Sequence, residues 1–319
     1  MSTYLILLLC IVPSVFILFI ILNAVQSDRR GVAAAAVSFP LCTLLGFGFS
    51  KLFYVILIEA GYILEFGDWS GFLIMRPEFF CFVGGAVGVW LGLLLAAKIT
   101  GFRPAGTLTD RFVLPGVLLI AGLRMAEIEL GSLGLGRYIE TPADSSYLIL
   151  AVFNQYGEAH VAVFVWEAIA AVIVGLLALR IKDDRPGRRF ETAVFHLCVC
   201  QILLENLRSS FLNWGFVRVD QLLCAVILMI LMLIACFRNT KKQGAARFLP
   251  AGYLLVCIAA IVGVEFLRQR SPSRFMGEYG GFLMMIAVLC VILFIYHRLA
   301  SDPRRRPHTN LQTEDKPGS

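Results

Sequence analysis

Arg124, Glu127 and Glu129 stand together in Leu123-Arg-Met-Ala-Glu-Ile-Glu-Leu-Gly, at the end of an apolar run that begins at Phe112. An ionisable side chain at such depth costs roughly 2.5–3.5 kcal/mol on insertion scales, so groups of this kind usually face a protein-lined or wet cavity and serve a function. Further charges lie within other apolar runs: Lys51, His160 with Glu167, Glu205 with Arg208, and Glu265 with Arg268. A single buried pair staples two helices, whereas several runs that each contribute one or two charges suggest a shared polar cavity. In Glu205-Asn-Leu-Arg208 and Glu265-Phe-Leu-Arg268 the carboxylate and guanidinium are three apart and share a helix face. Each pair is therefore equally readable as an intrahelical salt bridge at the end of a span.

The elements that must position these groups are membrane helices. Hydrophobic residues make up 59% of the 319 and charged residues only 16%, with a mean hydropathy of +0.80; soluble globular chains are about a quarter charged. Apolar windows of about the 20 residues needed to span a hydrocarbon core fall at 4–25, 33–58, 76–98, 112–131, 160–180, 191–210, 219–237, 248–267 and 280–297. The expected fold is an all-α integral membrane protein, a polytopic helical bundle of about seven core spans plus a C-terminal hairpin. Basic residues crowd into alternate loops, at 28–30, 98–111, 180–189, 238–247 and 297–306, while 59–69 and 209–220 carry fewer. The positive-inside rule then gives N-terminus out and C-terminus in. The net charge of +6 reflects these loops and implies no nucleic-acid surface.

The first apolar run has no basic residues before it and no small-residue cleavage site, so it reads as a retained span. Nine cysteines lie almost entirely inside apolar runs, as small core fillers rather than disulfides or metal ligands. Phe82-Val-Gly84-Gly85-Ala-Val-Gly88 strips side chains from a helical stripe, which permits close helix packing or the approach of a lipid headgroup. Residues 205–238 laid on 265–298 coincide at Glu, Leu, Arg, a mid-span Leu pair and a closing Arg. That pattern divides the chain into a core over 1–240, an added hairpin over 241–300 that is a candidate duplicate, and a basic, Pro-rich cytoplasmic tail over 301–319 that is expected to be disordered.

The order of these segments resembles the prolipoprotein diacylglyceryl transferase family, bacterial inner-membrane enzymes that move diacylglycerol from phosphatidylglycerol to a cysteine thiol. Gly46-Phe-Gly-Phe-Ser-Lys51-Leu-Phe-Tyr-Val resembles the family's Gly-Ala-Arg-Leu-x-Tyr-Val, and Phe82-Val-Gly84-Gly85 its Phe-His-Gly-Gly. Leu123-Arg124-Met-Ala-Glu127, with Gly134-Leu-Gly136-Arg137 after it, is similar to Gly-Arg-x-Gly-Asn and the loop that follows. His160 and Trp166-Glu167 resemble His-Pro-x-Gln-Leu-Tyr-Glu, and both Glu205-Asn-Leu-Arg208 and Glu265-Phe-Leu-Arg268 resemble Glu-Phe-x-Arg, the first by spacing and the second by wording. The resemblance covers residues 1–240 and rests on order and spacing. Several positions depart from it: the His-Gly-Gly histidine is Val83, the Asn is Glu127, and the arginine before the late glutamate is Gln201 or Ile261.

The resemblance implies Arg124, Glu127, His160 and Glu167 as catalytic residues. It implies Lys51, Gly84, Gly85, Arg137, Glu205, Arg208, Glu265 and Arg268 as substrate-binding ones. Phosphatidylglycerol or another anionic phospholipid and a prolipoprotein signal helix with its cysteine would be the partners, and no metal or cofactor is implied. A guanidinium holds a phosphate best through bidentate contacts, and the acceptor thiol must lose its proton to react. The expected activity is a phosphatidylglycerol-dependent diacylglyceryl transfer. A non-catalytic lipid- or lipoprotein-binding paralogue without the histidine base is the alternative, and a small-molecule transporter the third reading.

Overall fold

Uninterrupted apolar runs bounded by basic or glycine-containing turns leave the backbone one way to satisfy its N–H and C=O groups within a bilayer, the α-helix. The computed structural model describes residues 3–26, 28–59, 63, 74, 79–133, 135–139, 151–154, 156–181, 185–208, 213–214, 217–238, 244–270 and 281–300. Among them are nine α-helices: α1 (Thr3–Val25), α2 (Arg29–Tyr54), α3 (Phe82–Thr100), α4 (Ala105–Ala126), α5 (Val163–Leu179), α6 (Arg188–Leu204), α7 (Val219–Arg238), α8 (Leu249–Arg270) and α9 (Gly281–Ala300). Five of the helical segments, Thr3–Val25, Arg29–Glu59, Phe82–Thr100, Arg188–Leu207 and Val219–Arg238, are long and apolar enough to cross a membrane. Large apolar side chains on their outer faces, Leu44, Ile99 and Ile230 among them, are exposed, the arrangement that a hydrocarbon solvent favours.

The helix ends follow local chemistry. α3 stops at Gly101, whose φ of +66° only glycine adopts without strain. α2 starts on Asp28, whose side chain accepts from the Gly31 N–H. α6 has no cap of its own at Gly187, and Asp110 of α4 supplies one from across the bundle, accepting from the N–H groups of Gly187 at 2.6 Å and Phe190 at 2.9 Å. The 98–111 basic block is thus partly helical, and α4 begins earlier than its apolar window.

α4 is the central element, packed against α1, α3, α5 and α6. The closest pairing is α2 with α3, and the glycine stripe explains it. A Cβ on Gly88 would lie 2.2 Å from the Leu45 carbonyl oxygen, and one on Gly84 2.7 Å from Phe53. The stripe therefore faces α2, and Gly85 with it, its Cβ position 3.4 Å from Ser50. α8 and α9 pack on each other, on α7 and, for α9, on α6. Phe195 of α6 stacks on Tyr296 of α9 at 3.8 Å, and His196 meets His297 at 3.1 Å.

Two short antiparallel ribbons lie at the end of the bundle opposite the basic loops, β1 (Ala151–Phe153) with β2 (Ala159–Val161) and β3 (Asn213–Trp214) with β4 (Val217–Arg218). His160 belongs to β2, so the 160–180 window loses its first residues to a strand and α5 begins at Val163. The turn that joins β1 to β2 contains Gly157 at φ +77°. The backbones of Glu265 and Arg268 lie in α8, but their side chains, like Gly134 and residues 301–319, fall outside the described residues.

Candidate functional site

Four helices bring their charged ends to one level. Arg124 is on the last turn of α4, and a 3-10 segment (Glu127–Leu133) begins three residues on. Glu167 is on the first turns of α5. Gln201 is at the end of α6, followed by the 3-10 turn Glu205–Leu207 and then Arg208. Asp220 opens α7. Switching to 3-10 geometry after α4 and after α6 tightens the last turn, and in both cases the side chains at that switch point inward.

Arg124 donates from Nη1 to Glu127 at 2.6 Å and from Nη2 to Gln201 at 3.3 Å, and its Nε lies 3.2 Å from Glu167. Its guanidinium also lies over the Phe82 ring, 3.8 Å from the centroid. Arg208 reaches the same two carboxylates, Glu127 at 2.8 Å and Glu167 through a short charge-assisted bond. Two guanidiniums from separate helices thus share two carboxylates. Gln201 ties in the third acid, donating from Nε2 to Glu167 at 3.0 Å and Glu205 at 2.9 Å. The centre of the set is removed from solvent, with Arg124 3% exposed, Glu167 4% and Glu205 0%, while Gln201 and Arg208 are partly buried.

Compared with known proteins, the chain matches no family model and no curated sequence.

The network unites five of the residues singled out from the sequence: Arg124, Glu127, Glu167, Glu205 and Arg208. Glu129 is not among them and lies on an exposed face. Lys51 is buried elsewhere, donating to the Ile74 carbonyl at 2.9 Å and sitting 5.2 Å from the rings of both Tyr54 and Phe79. His160 makes its contacts within the ribbon layer, through Nδ1 to the Gly136 carbonyl at 3.0 Å and Nε2 to Asn154 at 3.3 Å. That layer is nevertheless joined to the network: Gly136 bridges to Arg208 and Tyr138 to His160, and the Arg137 N–H donates to the Leu207 carbonyl at 2.9 Å.

Sequence reasoning missed three members. Gln201 was noted only as a departure from an arginine, yet its amide links both halves of the network. Asp220 was read as part of a loop, but its Oδ1 lies 3.5 Å from the Cys81 thiol. Cys81 was read as a core filler. It is buried and occupies the N-cap of α3, where its sulfur accepts from the Gly84 N–H at 3.5 Å. Asp220 could have been noticed as an acid at the mouth of an apolar run, the same signal that marked Arg124.

Proposed function

We propose that the chain is a multi-pass protein of a bacterial cytoplasmic membrane, N-terminus out and C-terminus in, with seven core spans and an added hairpin. It transfers diacylglycerol from phosphatidylglycerol, or another anionic phospholipid, to the cysteine thiol of a prolipoprotein. The observation that carries this reading is the pair Arg124 and Arg208, sharing Glu127 and Glu167 at the end of the bundle away from the basic loops. That is the outer end by the positive-inside rule.

A phosphodiester entering between the two guanidiniums takes the place of a carboxylate, its two unesterified oxygens replacing the carboxylate pair as bidentate acceptors. The reaction forms a C–S bond at the glycerol carbon that carried the phosphate and breaks its C–O bond, so the electron pair leaves with glycerol phosphate. The departing phosphate gains charge, and fixed guanidiniums in a dry site stabilise that gain. The acceptor thiol gives its proton to a base; Glu127, displaced by the phosphate, or His160 in the ribbon layer takes that role. Lipid and signal helix enter sideways between spans.

A second reading has one observation in its favour. Val83 occupies the position of the histidine in the family that the chain resembles, and it is buried against apolar neighbours. On that reading the protein binds lipid or lipoprotein without turning it over. The deciding experiment is complementation of cells depleted of their own diacylglyceryl transferase, with the wild-type chain or Arg124→Ala, following the mass of a test prolipoprotein. A mass gain of one diacylglyceryl group with the wild type and none with the variant establishes the enzyme. No gain from either, with both proteins present in the membrane, removes the transferase reading.

A further inference from the structure

His196 and His297 lie outside the charged network, at the basic-loop end of the bundle. His196 is two turns into α6, and His297 is on the last turn of α9. Their Nε2 atoms face each other at 3.1 Å, while the ring centroids are 5.1 Å apart at an angle of 57°, so the rings meet nitrogen to nitrogen and do not stack. The residue before each one fixes this approach: Phe195 of α6 stacks on Tyr296 of α9 at 3.8 Å.

The other ring nitrogen of His196 settles its tautomer. Nδ1 lies 2.7 Å from the Thr192 carbonyl oxygen, which can only accept, so Nδ1 carries the proton and the neutral ring presents a lone pair at Nε2. A carbonyl that holds Nδ1–H in this way is the usual outer partner of a metal-binding imidazole. Opposite that lone pair, His297 donates an N–H in one neutral tautomer and brings a second lone pair in the other. Two lone pairs at this spacing suit one metal ion: an ion at a Zn–N distance of about 2.05 Å from both nitrogens sees them at an angle of about 98°, between the octahedral and tetrahedral values. No third His, Cys, Asp or Glu completes a cluster among the described residues. Glu191, the nearest acid along α6, is held by Arg185 and Arg238, and the Arg188 guanidinium is turned onto Tyr296, donating to its hydroxyl at 3.2 Å. Water fills the remaining coordination positions, since His297 is exposed.

We propose that His196 and His297 form an exchangeable two-imidazole site for one divalent transition-metal ion of the zinc, nickel or copper class, the ions that imidazole suits. The bound ion bridges α6 and α9 and fastens the C-terminal hairpin to the core from the basic-loop side. With only two protein ligands the ion comes and goes with its concentration in water, so the site acts as a clasp and not as a permanent structural centre. None of this depends on the lipid chemistry of the network at the other end of the bundle.

The test uses the full chain, purified without a polyhistidine tag and placed in phospholipid nanodiscs. Copper(II) is titrated in and followed by electron paramagnetic resonance, and thermal midpoints are read with and without zinc. The wild type is expected to take up one copper with the hyperfine pattern of two imidazole nitrogens and to gain thermal midpoint with zinc, because an ion that binds only the folded state stabilises it. His196→Gln and His297→Gln should each lose both responses, whereas His308→Gln, in the C-terminal tail, keeps them. His297 is exposed at a helix end, so its variant carries the comparison if His196→Gln does not accumulate. Two-nitrogen copper that persists in His297→Gln, or a wild-type midpoint that zinc leaves unmoved, overturns the proposal.

Discussion

Arg208, just past the end of α6, and Glu127, just past the end of α4, meet at 2.8 Å between Nη1 and Oε2, and this contact closes the ring of charges that begins with Arg124. Because the same guanidinium also holds Glu167, no shorter or single-pronged cation can replace it.

Arg208→Met is expected to destabilise the protein by about 3–5 kcal/mol, the cost of leaving buried carboxylates without a partner. Arg208→Lys is expected to cost less, since the charge remains, but to lose activity as fully, since one ammonium lacks the planar fork that spans two acceptors. Denaturation midpoints in detergent beside the complementation assay separate these two effects.

The glycine stripe makes a graded prediction. Gly88→Ala drives a methyl to 2.2 Å from the Leu45 carbonyl oxygen, whereas Gly85→Ala meets Ser50 at 3.4 Å. The first should cost about 1–3 kcal/mol as overpacking forces α2 and α3 apart, and the second little. Thermal midpoints of the two variants decide it; equal losses would mean that α2 and α3 do not pack as described.

Asp110→Ala removes the cap that α4 lends to α6 and is expected to cost about 0.5–2 kcal/mol, as for other N-caps. Asp110→Asn retains an acceptor oxygen and should recover part of it. Hydrogen exchange at the Gly187 and Phe190 amides reports the loss locally, with faster exchange expected in the alanine variant.

Asp28 titrates below the usual carboxylate range because the Gly31 N–H, and after it the Arg111 guanidinium at 2.9 Å, favour its charged form. A folded-state value below the unfolded one stabilises the protein above the unfolded value. That stability is lost as pH falls through the folded one, hence below about pH 4. The acid limb of the stability profile should therefore be shallower in Asp28→Asn than in the wild type, and identical limbs would show that the carboxylate contributes nothing.

The helical architecture was legible because a bilayer leaves so few alternatives: all nine apolar windows contain a helix among the described residues. Window edges were less legible, since hydropathy cannot see that Gly157 turns the chain into a strand containing His160 or that α4 begins at Ala105, inside a basic block. For the site, depth of charge marked Arg124, Glu167, Glu205 and Arg208; the i, i+3 spacing that suggested a pair within one helix for Glu205 and Arg208 gives only a 3.8 Å approach, because Arg208 lies past the helix end in extended backbone. Gln201 was invisible by that criterion because it carries no charge, whereas Asp220, an acid in the first turn of an apolar helix, met it and was read as loop. The two uses allowed for the glycine stripe differ only in what stands opposite, and no sequence names the facing element; here it is α2.

The i, i+3 spacing of Arg124 with Glu127 and of Glu205 with Arg208 also bears on how the protein is made. A chain enters the membrane N-terminus first, so Arg124 arrives before Glu167 and Arg208 have been synthesised. Its only available counter-ion is the carboxylate three residues behind it, and Arg208 likewise follows directly on Glu205. Arg124 therefore enters the bilayer as half of a neutral couple and exchanges into the larger ring when Glu167 arrives, whereas Arg208 arrives to find Glu127 and Glu167 already in place. A variant that moves Glu127 elsewhere in the sequence, even with the final ring's composition preserved, would leave a bare cation at the moment of insertion.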